Sequence, residues 1–193
     1  MEKNYTKLIN REHPLAEDYI PDHLVDPGLP FDAMPGEPKR LLEERAACAA
    51  LDLISRGRRE GLNLYGISGY RSYQRQRELF MGNPYVAAPG ASEHQSGLAL
   101  DLSCPAAGME LTETFAGTKE GIWLAGHAAL YGFVLRYPPH KEHLTGFPWE
   151  PWHIRYVGKS LASYLTLTGL TLEEYHALSA PSPENSVDFS TLK

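Results

Sequence analysis

The sequence predicts an α+β fold, a single compact domain in which helices flank an antiparallel sheet, and three observations predict it. Short apolar runs bounded by Gly and Pro recur at 62–68, 97–102, 133–137 and 151–157, the pattern of strands. The helical patterns between them do not fall into βαβ alternation, which favours antiparallel pairing over a parallel sheet. At 193 residues the chain has the length of one domain, 1–193, able to bury a core without repeats or disulfides.

Taken in order, residues 1–37 carry Pro14, Pro21, Pro27, Pro30 and Pro35, which predicts a segment wrapping the surface, with a short strand at Leu8-Ile9. From Pro38 onward Leu41, Leu42, Arg45, Cys48, Ala49, Asp52, Leu53 and Arg56 recur at helical spacing. Pro38 suits the first turn of this helix and Gly57 or Gly61 its end. The strand over 62–68 leads through a Gly69 turn to a polar-faced helix over 72–81, capped by Ser72. A loop over 82–93 precedes the strand over 97–102. The stretch 105–117 reads as the least ordered part of the chain and as an edge of the active site. Trp123, Leu124, His127, Ala128 and Tyr131 form a helical pattern that Gly132 ends. The strand over 133–137, a loop or hairpin over 138–148 and the strand over 151–157 follow. Two short helices close the fold, the second opened by the capping-box spacing of Thr171-Leu172-Glu173-Glu174. A polar tail over 181–193 is predicted to fray.

Composition narrows the function. A formal charge of −6 and scattered basic residues argue against nucleic acid or an anionic membrane as partner. The one basic cluster, Arg56-Gly57-Arg58-Arg59, suits a helix C-terminus. The N-terminus shows no signal-peptide pattern and no run spans a bilayer, so an unanchored, cytoplasmic protein is expected. Cys48 and Cys104 read as two unpaired, buried thiols, and no protein partner is implied.

The chemistry concentrates in Ser92-Glu93-His94-Gln95-Ser96-Gly97-Leu98-Ala99-Leu100-Asp101 and in Glu150-Pro151-Trp152-His153. His94 and Asp101 flank an apolar segment, and His153 starts another. Two imidazoles and a carboxylate form a ligand set that leaves a zinc ion one open position, and a neighbouring Glu150 outside that set can move a proton. The same ligand types also serve non-haem iron, where a Glu placed like Glu150 has no role. Spacing by itself equally admits an Asp101 that caps a turn. His13, His23, His127, His140, His143 and His176 are read as ordinary hydrogen-bonded histidines.

These two runs, together with Ser68-Gly69-Tyr70-Arg71-Ser72, resemble the zinc D-alanyl-D-alanine carboxypeptidases and dipeptidases of the VanY, VanX and VanXY type. Leu8-Ile9-Asn10-Arg11-Glu12-His13-Pro14-Leu15, Gly132-Phe133-Val134-Leu135-Arg136-Tyr137-Pro138 and Thr171-Leu172-Glu173-Glu174-Tyr175-His176 extend the likeness towards VanXY proteins. The resemblance implies one Zn2+ per chain on His94, Asp101 and His153, with Glu150 as general base and acid and Arg71 on the scissile carbonyl oxygen. It implies Ser92 and Gln76 as substrate-binding positions, and Trp152 walls the pocket. The implied substrate is a small peptide, D-Ala-D-Ala or UDP-MurNAc-pentapeptide, whose loss counters vancomycin-type antibiotics. An L,D-carboxypeptidase, a peptidoglycan endopeptidase and a non-catalytic zinc-stabilised binding module are the alternatives on this scaffold.

Overall fold

The computed structural model describes residues 5–81 and 86–179, so the predicted tail over 181–193 lies outside the described residues. Its elements are β1 (Leu24–Val25), β2 (Leu42–Glu43), α1 (Glu44–Arg59), β3 (Tyr65–Ser68), α2 (Tyr73–Phe80), β4 (Ala99–Ser103), α3 (Lys119–His127), β5 (Phe133–Leu135), α4 (Glu142–Thr145), β6 (His153–Tyr156), α5 (Lys159–Thr168) and α6 (Leu172–Ser179). Four of the strands form an antiparallel sheet in the order β3-β4-β6-β5. The predicted α+β class is the observed one.

Strand alternation sorts β4 into two faces. Leu100 and Leu102 are fully buried in a core with Leu64, Phe133 and Ile154, which Ala46, Ala50, Leu53 and Ile54 of α1 and Leu124 of α3 complete. Each such Leu or Ile contributes roughly 1.5–3 kcal/mol by leaving water. Asp101 lies on the opposite face, and so does its cross-strand partner His153. A smaller cluster, Val134, Val157, Leu161, Ala162, Leu165 and Leu172, docks α5 and α6. Among the described residues no helix is long and apolar enough to cross a membrane.

Several boundaries differ from the sequence reading. Leu8-Ile9 forms no strand: Ile9 is buried, but the carbonyls of Tyr5 and Lys7 accept hydrogen bonds from the Arg155 guanidinium instead of a strand partner. The helix predicted from Pro38 begins at Glu44. Pro38–Arg40 is a 3-10 turn, Leu42–Glu43 pairs with Leu24–Val25, and the Glu43 carboxylate caps α1 by accepting from the Arg45 and Ala46 amides. The buried stripe of α1 is therefore Ala46, Ala47, Ala50, Leu53, Ile54 and Gly57, which leaves Cys48 exposed rather than buried; Cys104 is buried. The stretch 105–117 is ordered, with 3-10 turns at Pro105–Ala107 and Glu113–Gly117 pinned by a fully buried Phe115. The loop over 138–148 contains α4. Ser72 caps α2 as predicted, its hydroxyl accepting from the Arg75 amide at 3.2 Å, and Thr171 with Glu174 closes the capping box at α6.

Gly97 joins the fold to the motif. Its φ of +68° is left-handed, and a Cβ there would meet the Glu43 amide nitrogen at 2.9 Å. Gly97→Ala is expected to destabilise the domain by about 1–3 kcal/mol, read from urea denaturation; an unchanged midpoint would contradict this role.

Candidate metal centre

The antiparallel register sets Asp101 opposite His153. His94 arrives from the 3-10 turn Glu93–Ser96, which Ser92 starts and Gly97 ends. A register shift between Gly66 and Ser68 ends β3 with Ser68 opposite Asp101, and the following segment is clamped by hydrogen bonds from the Gly69 amide to Lys39 O and from the Tyr70 amide to Leu41 O. Gly69 is required here because a Cβ would lie 2.5 Å from Leu41 O.

That clamp holds the Gly69 carbonyl, which accepts from His94 Nδ1 at 2.7 Å. A carbonyl can only accept, so Nδ1 carries a proton, and Nε2 faces Asp101 Oδ2 at 3.1 Å. His153 is turned the other way: Nδ1 lies 2.9 Å from Asp101 Oδ1 and Nε2 lies 3.4 Å from Glu93 Oε2. Ligand atoms of His94, Asp101 and His153 all fall within 4.8 Å of one another, and all three residues are buried.

The acidic groups at this point favour positive charge, for which a proton and a metal ion compete. Burial opposes ionisation of Asp101, yet His94 and His153 outweigh it and hold the carboxyl far below the usual range. Burial likewise opposes charge on His153, but its hydrogen bonds to Asp101 and Glu93 push it up to about 10. Burial lowers His94, against the pull of Asp101, which favours the neutral imidazole a metal needs. Two nitrogens and a carboxylate, with second partners fixing each ring, fit a divalent transition metal such as zinc.

Glu150 stands beside the triad, Oε2 lying 3.8 Å from His153 Nδ1. Burial pushes its pKa up to about 7; Asp101 adds to the rise, while His153 and Arg71 resist it. Arg71 faces the same space, its Nη1 donating to Gln76 Oε1 and its Nη2 to Ser68 Oγ, both at 2.9 Å. Gln76 in turn donates from Nε2 to Ala87 O at 2.6 Å, so its carboxamide is engaged at both ends. Ser92 makes no side-chain capping bond, and its residue lines the cleft. The cleft encloses about 230 Å³, with half-buried Trp152 and Leu111 and buried Tyr137 and Phe147 among its walls. All eight residues singled out from the sequence thus line one cleft.

Reading the sequence alone misses Glu93, Arg136 and Arg155. Their signal is charge inside or beside apolar strand runs, which demands buried partners. His127 and His176 bond to backbone carbonyls as ordinary histidines do.

Comparison with known proteins shows the family of the chain. The family model for VanY, D-alanyl-D-alanine carboxypeptidase, matches residues 39–159. The chain belongs to that family. A putative carboxypeptidase, YodJ of Bacillus subtilis, is 40% identical over 183 residues, covering 90% of this chain and 67% of that protein. The bifunctional D-Ala-D-Ala dipeptidase and carboxypeptidase VanXYC of Enterococcus gallinarum is 34% identical over 90% of this chain and 94% of its own. Among solved structures, the LdcB LD-carboxypeptidase superposes with a TM-score of 0.85 at 40% identity, covering 88% of this chain and 84% of its own. A VanY D,D-pentapeptidase from a VanB-type resistance cassette, solved as a mutant with Zn(II), gives a TM-score of 0.74 at 30% identity, covering 90% and 99%.

For this VanY-family chain, added zinc should raise the melting temperature. At free zinc one hundred times Kd the folding free energy should rise by about 2.7 kcal/mol, and Asp101→Asn should remove most of that gain. An equal zinc response in the variant would place the binding elsewhere.

Proposed function

We propose that this chain is a zinc-dependent carboxypeptidase that removes a terminal D-alanine from peptidoglycan stem peptides, with the D,D bond of pentapeptide precursors as its substrate. The observation that carries the reading is the convergence of His94, Asp101 and His153 on one point with Glu150 and Arg71 facing it. Family membership supports the bond type.

When bound, zinc supplies Lewis acidity and makes water acidic near neutral pH. The chain's own groups supply the rest. Glu150, poised near neutrality by burial, accepts the proton of the attacking water and returns it to the departing amine. A cation at the triad draws its pKa down and favours the basic form. Arg71 is half-buried and held by Gln76 and Ser68; it offers charge to the scissile carbonyl oxygen as negative charge develops there. Ser92 supplies a hydroxyl to the substrate's terminal carboxylate. Gln76 serves substrate through Arg71, because its carboxamide is already engaged. Trp152, Tyr137 and Phe147 restrict the cleft to a small chain end.

A second reading, cleavage of the L,D bond of tetrapeptides, is favoured by the superposition on LdcB, which exceeds that on the VanY pentapeptidase. D-Alanine release from D-Ala-D-Ala, a pentapeptide precursor and a tetrapeptide, each with and without a zinc chelator, separates the two. Release from the pentapeptide that the chelator abolishes is the expected result; release from the tetrapeptide alone makes this an L,D-enzyme. Removal of the D-Ala-D-Ala end would also remove what vancomycin-type antibiotics bind. Glu150→Gln should keep zinc and lose about 10²–10⁴-fold in kcat, an outcome that a binding module without catalysis cannot give.

A further inference from the structure

We propose that Glu93, the residue beside His94 in the motif, is a positioning residue that fixes the ring of His153 for metal binding, and that Arg136 and Arg155 hold its carboxylate in place in the core. The inference rests on the metal reading of the triad.

The geometry is one-sided. His94 is backed by a neutral carbonyl, whereas His153 is backed by a carboxylate, Glu93 Oε2 lying 3.4 Å from its Nε2. An anion behind Nε2 accepts the ring proton there, leaves Nδ1 free to bind, and raises its basicity as a ligand. Because Glu93 and His94 are adjacent in one 3-10 turn, a single local structure sets one ring directly and the other through its carboxylate.

Such a carboxylate is costly to bury unpaired, and Glu93 is 1% exposed. Its other oxygen, Oε1, accepts from Arg136 Nε at 2.8 Å and from Arg155 Nη1 at 2.7 Å. Both guanidiniums are themselves fully buried and need further partners. Arg136 finds them in Glu173, which it grips through Nη1 at 2.8 Å and Nη2 at 2.5 Å. Arg155 spends its remaining donors on the carbonyls of Tyr5, Lys7 and Tyr156. Arg155 lies in β6 and Arg136 follows β5, so neighbouring strands bring both guanidiniums to one oxygen of Glu93. Neither arginine reaches the cleft, whereas Glu93 does.

The test is zinc affinity, measured by competition with a chromophoric chelator, on three proteins checked for folding by circular dichroism. Glu93→Gln keeps the shape and removes the charge, and should weaken zinc binding by about 10- to 100-fold. Glu173→Gln, on the far side of Arg136, breaks the same network without touching His153; it should lower thermal stability and leave zinc affinity within about 2-fold, a margin well below the second-partner effect. If Glu93→Gln does not fold, Glu93→Asp carries the same expectation, since it retains a charge for the arginines but draws back from His153. Wild-type affinity in the folded Glu93 variant overturns the proposal. So does an equal loss in Glu173→Gln, which would show general loosening. Absence of tight zinc binding by the wild type would instead overturn the metal reading itself.

Discussion

The pairing of Asp101 with His153 across two central strands is the constraint on which the rest of the structure depends. It places a carboxylate and an imidazole 2.9 Å apart inside the protein, an arrangement that a one-residue slip in register would destroy by sending both side chains to the opposite face. Leu100, Leu102 and Ile154 hold that register by filling the core side of the same strands. The chain then has to bring His94 to the same point. It does so with a tight turn ended by a left-handed Gly97 and with a carbonyl from Gly69, a position where backbone packing leaves no room for a side chain.

Two glutamates approach His153, and their surroundings differ in ways that suit the different roles proposed for them. Glu93 is fully enclosed, but Arg155 and Arg136 hold it well below the ordinary carboxylate range, which favours its charged form. Glu150 is partly exposed to the cleft and, among the described residues, forms no ion pair with an arginine; burial and Asp101 raise it to about 7. A fixed charge suits orientation of a ring, and a group that titrates near neutrality suits proton transfer. This division follows from how each carboxylate is buried, not from residue type.

Much of this was legible in the sequence because short motifs report local chemistry. His94, Asp101, Glu150 and His153 stand beside apolar runs, and those runs pair as strands that carry them to one place. The α+β class followed from the spacing of the same runs. What was not legible depended on partners distant in the chain. The pairing of Leu24–Val25 with Leu42–Glu43 takes two residues from what reads as a continuous helix, and the face that α1 buries leaves Cys48 at the surface. Leu8-Ile9 looks like a strand, but the carbonyls before it answer to Arg155, about 150 positions away. Gln76 has the chemistry to bind a peptide, yet Arg71 and Ala87 engage it first. Glu93 stands within the motif, but only the fold shows that two arginines and a histidine surround it.

The most direct measurement is a crystal structure of the zinc-loaded protein with anomalous scattering recorded at the zinc edge. One peak per chain is predicted, about 2.0–2.2 Å from His94 Nε2, an Asp101 oxygen and His153 Nδ1, with Glu150 outside the ligand set. A peak bound through His153 Nε2, or away from these three residues, would contradict the arrangement on which every proposed role depends.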